Sequence, residues 1–237
     1  MIEILQAGAI DFKLTLSEAQ LNAFVRYRRE LVAWNEKFNL TRIVEPQEVA
    51  VKHFLDSLSI APVLSELNTP RSIIDVGSGA GFPGIPLKIV RPELSMTLLE
   101  STGKKTTFLR HVVETLELAN VAVITARAEE AGRQTAHRER YDVAVARAVS
   151  RLAVLAEYTL PLVKVGGWVI AQKGQHPAEE IETGGRAVRM LGGTIVEVRP
   201  VEVPGLEAER HLVIIKKIKP TPKLYPRQPG WPAKEPL

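Results

Sequence analysis

The sequence predicts an α/β fold: a doubly wound, mostly parallel seven-stranded sheet, with an N-terminal helical cap and a proline-rich basic C-terminal tail. Three observations carry this. From Arg71 onward short apolar runs alternate with helical ones, as in strands joined by crossover helices. The first run leads into a glycine-rich turn, "IIDVGSGAGFPGIPLKIV" (73–90), where ligand loops sit in such sheets. The last two strands are joined only by "EVRPVEVPGLEAER", too short for a crossover helix, so the final pair is antiparallel.

The elements follow in order. In "LTLSEAQLNAFVRYRRELVAWNEKFNL", Ser17 and Gln20 form a capping box. Leu21, Phe24, Val25, Leu31 and Val32 follow at helical spacing, with Arg26, Arg28 and Arg29 beside the stripe. Pro46 suits a first helical position and opens a second helix reaching about Ile60. These helices form the cap, residues 1–68. Residues 69–218 form the sheet domain. Its predicted strands are Ser72–Val76, Ser95–Leu99, Val121–Ile124, Val143–Ala146, Trp168–Gln172, Thr194–Val198 and His211–Lys216. Its predicted helices are Pro83–Val90, Lys104–Leu118, Arg151–Val163 and Ala178–Leu191. Residues 219–237 are the tail. No internal repeat is visible.

Composition narrows the classes. At 237 residues, with 45% apolar and 24% charged content, the chain has the make-up of an ordinary globular protein. No apolar run reaches the roughly 18 residues of a membrane span. The first residues lack a basic n-region, so no signal peptide is expected and the cytoplasm is the expected location. With no cysteine there is no disulfide, thiolate metal site or cysteine nucleophile. The five histidines show no metal spacing, and no metal is predicted.

Charge is unevenly placed. Residues 210–237 hold seven cations (Arg210, Lys216, Lys217, Lys219, Lys223, Arg227, Lys234) against Glu235, a local charge of +6, while the other 209 residues total −2. Six of the 16 prolines fall in the last 18 residues, which disfavours a helix and suits an extended strap. Tyr225 and Trp231 sit among these cations. Cations for phosphates and rings for bases suit single-stranded nucleic acid; a tail packed on its own domain with its aromatics inward is the alternative.

The glycine turn admits two readings. Gly79, Gly81 and Gly84 spell G-x-G-x-x-G, a dinucleotide fingerprint. But Pro83 and Pro86 remove N–H donors a pyrophosphate would need, and counting from Gly77 the third fingerprint position is Phe82. Asp75, Gly77, Gly79 and Gly81 instead spell D-x-G-x-G-x-G, which points to S-adenosylmethionine. Asp75 can face its ammonium, and the glycines allow close backbone approach. Glu100, at the end of the second strand, can grip the ribose hydroxyls. Ala128 and Glu129 of "ARAEE" can meet the adenine.

These motifs, with "WNEKFNLT" (34–41), "HFLDSL" (53–58), "YDVAVARAVSRL" (141–152) and "TPKLYPRQPG" (221–230), extend over nearly the whole chain. The chain resembles the ribosomal RNA small-subunit methyltransferase G family, also called the glucose-inhibited division protein B family. The resemblance implies a Rossmann-like class I methyltransferase that moves a methyl group from S-adenosylmethionine to N7 of one guanine, position 527 in the 530 loop of 16S rRNA. It implies cofactor contacts at Gly77, Phe82, Glu100, Ser101, Thr102, Ala128, Glu129 and Arg147. Its members often carry Asp where this chain has Glu100, a change of one methylene.

The chemistry agrees. Guanine N7 has a free lone pair and loses no proton on methylation, so no general base is needed; alignment in a water-poor site can supply about 7–11 kcal/mol. The D/N-P-P-Y/F clamp used on exocyclic amines is absent from "VARAVSRL", and C5-pyrimidine methylation lacks its cysteine. Arg147 ends the fourth strand and can orient substrate or cofactor, or make a surface salt bridge. Arg151, Lys173 and His53 are further candidates, and His53 and Asp56, three apart on a helix, are expected to pair. The RNA-binding set is Arg26, Arg28, Arg29, Lys173, Lys216, Lys217, Lys219, Lys223 and Arg227. The expected partner is 16S rRNA or the small-subunit particle, the expected state a monomer. Two other classes remain: a small-molecule methyltransferase, disfavoured by the basic tail and basic helix, and a catalytically idle RNA-binding protein, disfavoured by the intact Asp75, Gly77, Gly79 and Glu100.

Overall fold

A computed structural model describes residues 1–67, 71–147, 150–174 and 177–237. The expected 68/69 boundary, and Ala148 and Val149 of "VARAVSRL", lie outside the described residues.

Seven strands form one sheet: β1 (Ser72–Val76), β2 (Ser95–Glu100), β3 (Val121–Thr125), β4 (Tyr141–Arg147), β5 (Val163–Lys173), β6 (Gly193–Val201) and β7 (Arg210–Lys217). Their order is β3-β2-β1-β4-β5-β7-β6. The first five are parallel, and β7 runs antiparallel to both β5 and β6. The chain therefore starts at the centre with β1, winds outward to β3, and returns to β4 on the other side. The order reverses between β1 and β4, where crevices open in such sheets. Register places Asp75 beside Leu98 and Val145, so the carboxyl ends of β2, β1 and β4 lie side by side. β5 begins at Val163, paired with Tyr141, and so cuts the expected helix 151–163 back to Leu152–Thr159.

The cap contains a first helix that the sequence reading did not predict. α1 (Ile2–Asp11) buries Leu5, Gly8 and Ala9; a Cβ on Gly8 would lie 2.5 Å from Leu55 Cδ1, so the helices meet through the missing side chain. α2 (Glu18–Phe38) carries the predicted capping box, with Gln20 N–H donating to Ser17 Oγ at 3.3 Å and Ser17 N–H to Gln20 Oε1 at 2.9 Å. Val25 faces out and Tyr27 is buried in its stead. The second helix is composite: α3 (Pro46–Glu48), a π-helical run (Val49–Leu55) and α4 (Asp56–Leu58), followed by α5 (Ala61–Glu66). The wider π winding rotates successive side chains away from α-helical spacing.

Strand alternation divides the core. Ile73 joins a cluster shared with the cap's Leu5, Phe24, Tyr27 and Phe54; Ile74 and Val76 face a second cluster with Leu155 and Leu160. α6 (Gly84–Val90) and α7 (Gly103–Thr115) cover the cap-side face together with the cap, and α9 (Leu152–Thr159) and α10 (Pro177–Met190) lie in contact with each other. The tail, expected as an extended strap, contains a helical turn, α11 (Trp231–Lys234), whose Pro232 lies in the first turn, where its missing N–H costs nothing.

Candidate functional site

The glycine turn leaves β1 with φ at Gly77, Gly79 and Gly81 of +74°, +59° and +101°. At Gly81 a Cβ would stand 2.5 Å from Ile85 Cδ1 and 2.6 Å from Tyr27 Oη: this glycine is pressed on its own scaffold. At Gly79 a Cβ would meet nothing nearer than Gly77 O at 3.9 Å. That space opens onto a cavity lined by Gly77, Ser78, Gly79 and Ala80. Tyr27 Oη donates to Ala80 O at 2.5 Å, fixing the turn to the cap. Tyr27 also packs on Phe82 at 5.4 Å between ring centroids.

Asp75 ends β1 under the turn. It is fully buried beneath the turn, where Oδ2 accepts from Gly84 N–H at 2.9 Å. It lines none of the cavities at the turn. Oδ2 thus ties the turn to α6, while Oδ1 is buried with no hydrogen-bond partner among the described residues. Burial, opposed by the Gly84 hydrogen bond, pushes its pKa up to about 7.

Glu100 behaves differently. Its Oε2 accepts from Gly79 N–H at 3.0 Å and its Oε1 from Thr102 N–H at 2.8 Å. Oε1 also accepts from Ser101 Oγ at 3.5 Å, while Oε2 keeps a second lone pair that a neighbouring hydroxyl can use. Gly77, Glu100, Ser101, Ala128, Glu129 and Tyr158 line one cavity. Glu129, on α8 (Ala128–Ala131), accepts from Gly230 N–H at 2.9 Å, so the tail supports this wall.

A second cavity begins at the same Gly77 and runs over Ser78, Gly79, Ala80 and Phe82 to Leu40, Thr41, His53 and Arg147. A third begins at His53 and Arg147 and continues past Asp56, Lys173 and Arg210. The three make one groove over the ends of β2, β1 and β4. The largest cavity, about 860 Å³, lies between α1 and residues 199–211 and contains no residue predicted for the site.

His53 and Asp56 do not pair; the π winding separates them. Asp56 instead holds Arg147 through Oδ2 and Arg210 through Oδ1, both at 2.9 Å. Arg147 also donates to Lys52 O at 3.0 Å and stacks over Phe82, 4.9 Å from the ring centroid. His53 stacks on the same ring at 4.4 Å. Burial, and then the charge of Arg147, hold its pKa down to about 4. It is a neutral imidazole at physiological pH.

The basic set separates. Lys217 is fully buried, donating to Leu160 O at 2.7 Å and paired with Glu139, which corrects the expectation that it faces RNA. Arg227 is corrected likewise: it clasps buried Glu157 in a fork with contacts of 2.7 to 3.1 Å. Arg28 turns inward to Val44 O at 3.2 Å. Lys173 pairs with Glu180, and Lys216 lies 3.8 Å over the Trp168 ring. Arg26 is exposed yet donates to Thr115 O, and Arg29 is exposed beside Glu30. Arg151, Lys219 and Lys223 are exposed. Arg133 and Arg138 tie the tail down through Pro226 O, Tyr225 O and Thr221 O at 2.8 Å each. Tyr225 packs inward, and Trp231 is 46% exposed. Sequence reasoning missed Thr41, Tyr27 and Arg210 as site residues. Tyr27 falls one turn from Phe24 on the stripe, and that spacing was its signal.

The fold is that of the class I methyltransferases. TYW2 of M. jannaschii, solved in complex with AdoMet, aligns with a TM-score of 0.52 and 15% identity over 75% of this chain and 80% of that one. TrmN from Thermus thermophilus aligns with a TM-score of 0.53 and 16% identity over 71% and 53%. Within that class the chain belongs to the rRNA small subunit methyltransferase G family, whose model matches residues 20–213. It is 52% identical to the Ribosomal RNA small subunit methyltransferase G of Roseiflexus castenholzii over 97% of both chains. It is 49% identical to that of Bacillus cytotoxicus over 100% of this chain and 98% of the relative.

Proposed function

We propose that this chain transfers a methyl group from S-adenosylmethionine to N7 of guanine in the 530 loop of 16S rRNA, acting in the cytoplasm as a monomer on the RNA or the small-subunit particle. The observation that carries this reading is the continuous groove: a cavity with a free-lone-pair carboxylate, a glycine cradle, and a third chamber flanked by Arg147, Arg210 and Lys173. The cofactor supplies a methyl carbon made electrophilic by its sulfonium.

The chain's own residues do the rest. Glu100 accepts the ribose hydroxyls, with Ser101, Thr102, Ala128 and Glu129 around the adenosine. Gly77, Gly79, Phe82 and Arg147 enclose the amino-acid end. Asp75 and Gly81 hold the turn in shape from behind. Neutral His53 is not required to take a proton, since N7 carries none. Residues 1–68 act as a helical cap, 69–218 as the transferase domain, and 219–237 as a tail clamped to it. Arg26, Arg29, Lys219 and Lys223 are the exposed cations offered to phosphates, with Lys173 at the mouth of the third chamber.

Single-turnover transfer of labelled methyl to 16S rRNA or the particle tests this. The expected product is a cationic guanine at which borohydride and aniline cut the strand at one position in the 530 loop. Label incorporated without scission overturns the assignment to N7.

A further inference from the structure

The ring of His53 sits between two partners that fix where its proton is. Arg147 Nη2 lies 3.3 Å from His53 Nδ1. A guanidinium has donors only, so Nδ1 accepts. A neutral ring with a bare Nδ1 carries its proton on Nε2. That nitrogen stands 2.9 Å from Thr41 Oγ1 and donates to it. The same Oγ1 accepts from Ile43 N–H at 3.1 Å. Both lone pairs of the hydroxyl are then occupied, and among the described residues no acceptor takes its proton. Thr41 lines the cavity between the cap and the glycine turn.

We infer that the Thr41 hydroxyl donates a hydrogen bond to the carboxylate of the bound cofactor, an inference that rests on the methyl-donor reading above. Arg147, His53 and Thr41 form a line of donors all pointing one way. A cation at its head polarises every N–H and O–H after it, and such a line ends best on an anion. A ligand whose ribose is held by Glu100 in the first cavity enters the second at Gly77 and lays its amino-acid end along the turn, across from Thr41. Three of the guanidinium's five donors are committed to Lys52 O, Asp56 and His53. Part of its charge reaches the ligand through this line, which makes His53 a positioning residue and adds Thr41 to the contacts at the amino-acid end.

Binding calorimetry with Thr41→Val and Thr41→Ser tests this with two probes: S-adenosylhomocysteine, which keeps the carboxylate, and methylthioadenosine, which lacks the amino-acid end. Thr41→Val should bind S-adenosylhomocysteine about ten- to a hundredfold more weakly. Methylthioadenosine should bind it as it binds wild type, and Thr41→Ser should restore the first affinity. Unchanged S-adenosylhomocysteine affinity in Thr41→Val overturns the inference, as does an equal loss for both probes, which would mark a collapsed pocket. Nitrogen-15 spectra of His53 should show the proton on Nε2; a proton on Nδ1 overturns it without any ligand. Failure of wild type to bind S-adenosylhomocysteine would instead remove the methyl-donor reading on which the inference stands.

Discussion

Gly79 and Gly81 stand two residues apart under opposite constraints. Gly79→Ala meets only the cost of positive φ, about 1–2 kcal/mol, and leaves the chain folded with its cradle filled. Gly81→Ala adds a collision with Ile85 and Tyr27 and should cost about 3 kcal/mol or more. Urea denaturation and S-adenosylhomocysteine calorimetry should therefore split them: one loses binding, the other loses fold. Asp75 and His53 titrate with opposite signs. With a pKa of about 7, folded Asp75 holds a proton that the unfolded chain releases near 3.9, so stability falls as pH rises from about 4 to 7. With a pKa of about 4, folded His53 resists a proton that the unfolded chain takes near 6.5, so stability falls as pH drops from 6.5 to 4. The two slopes oppose each other over the same window. Asp75→Asn should expose the histidine slope: urea midpoints falling from pH 6.5 to 4.5 more steeply than in wild type, and a gain over wild type at pH 7.5. Equal profiles would contradict the burial of Asp75. Residue types at the site were legible from the D-x-G-x-G-x-G spacing. Their partners were not, because whether an acid faces a ligand or a helix start depends on the strand register beside it.

The tail is the element whose reading changed most. Its composition showed cations and rings; composition does not show which cations are neutralised by acids far away in sequence. Glu157 lies 70 residues from Arg227, and Glu129 lies 101 residues from Gly230. Breaking the first of these contacts leaves a carboxylate whose side chain is 1% exposed without its cation. Arg227→Ala should cost about 3 kcal/mol and open residues 219–237 to limited proteolysis. Lys219 and Lys223 carry free charge in the tail, as does Lys234 over the Trp231 ring. Joint replacement of Lys219 and Lys223 by Gln should flatten the salt dependence of RNA binding by up to about 1.4 in log–log slope, at about 0.7 per phosphate. Lys217→Met should leave that slope unchanged. The cap helices show the same limit. The capping box fixed the start of α2, but no local pattern announced the π winding that parts His53 from Asp56.

At the scale of the molecule, the alternation of runs was enough to predict a doubly wound sheet, and the short last connection an antiparallel final pair. It did not predict that β7 would slot between β5 and β6, because a short connection sets strand direction and leaves the sheet position open. The cap shares one hydrophobic cluster with the sheet, so the chain should unfold in a single transition whether followed by tryptophan fluorescence or by far-ultraviolet dichroism. The strand order also bears on synthesis. β6 pairs only with β7, and β5 lacks its second neighbour until β7 arrives. A chain being translated therefore carries β6 as a bare edge until residues 210–217 have emerged. A released chain truncated after residue 209 should be cut by protease within 193–201, where the finished protein resists. The enzyme proposed here to mark the ribosome's RNA would thus leave the ribosome with its own sheet closing last.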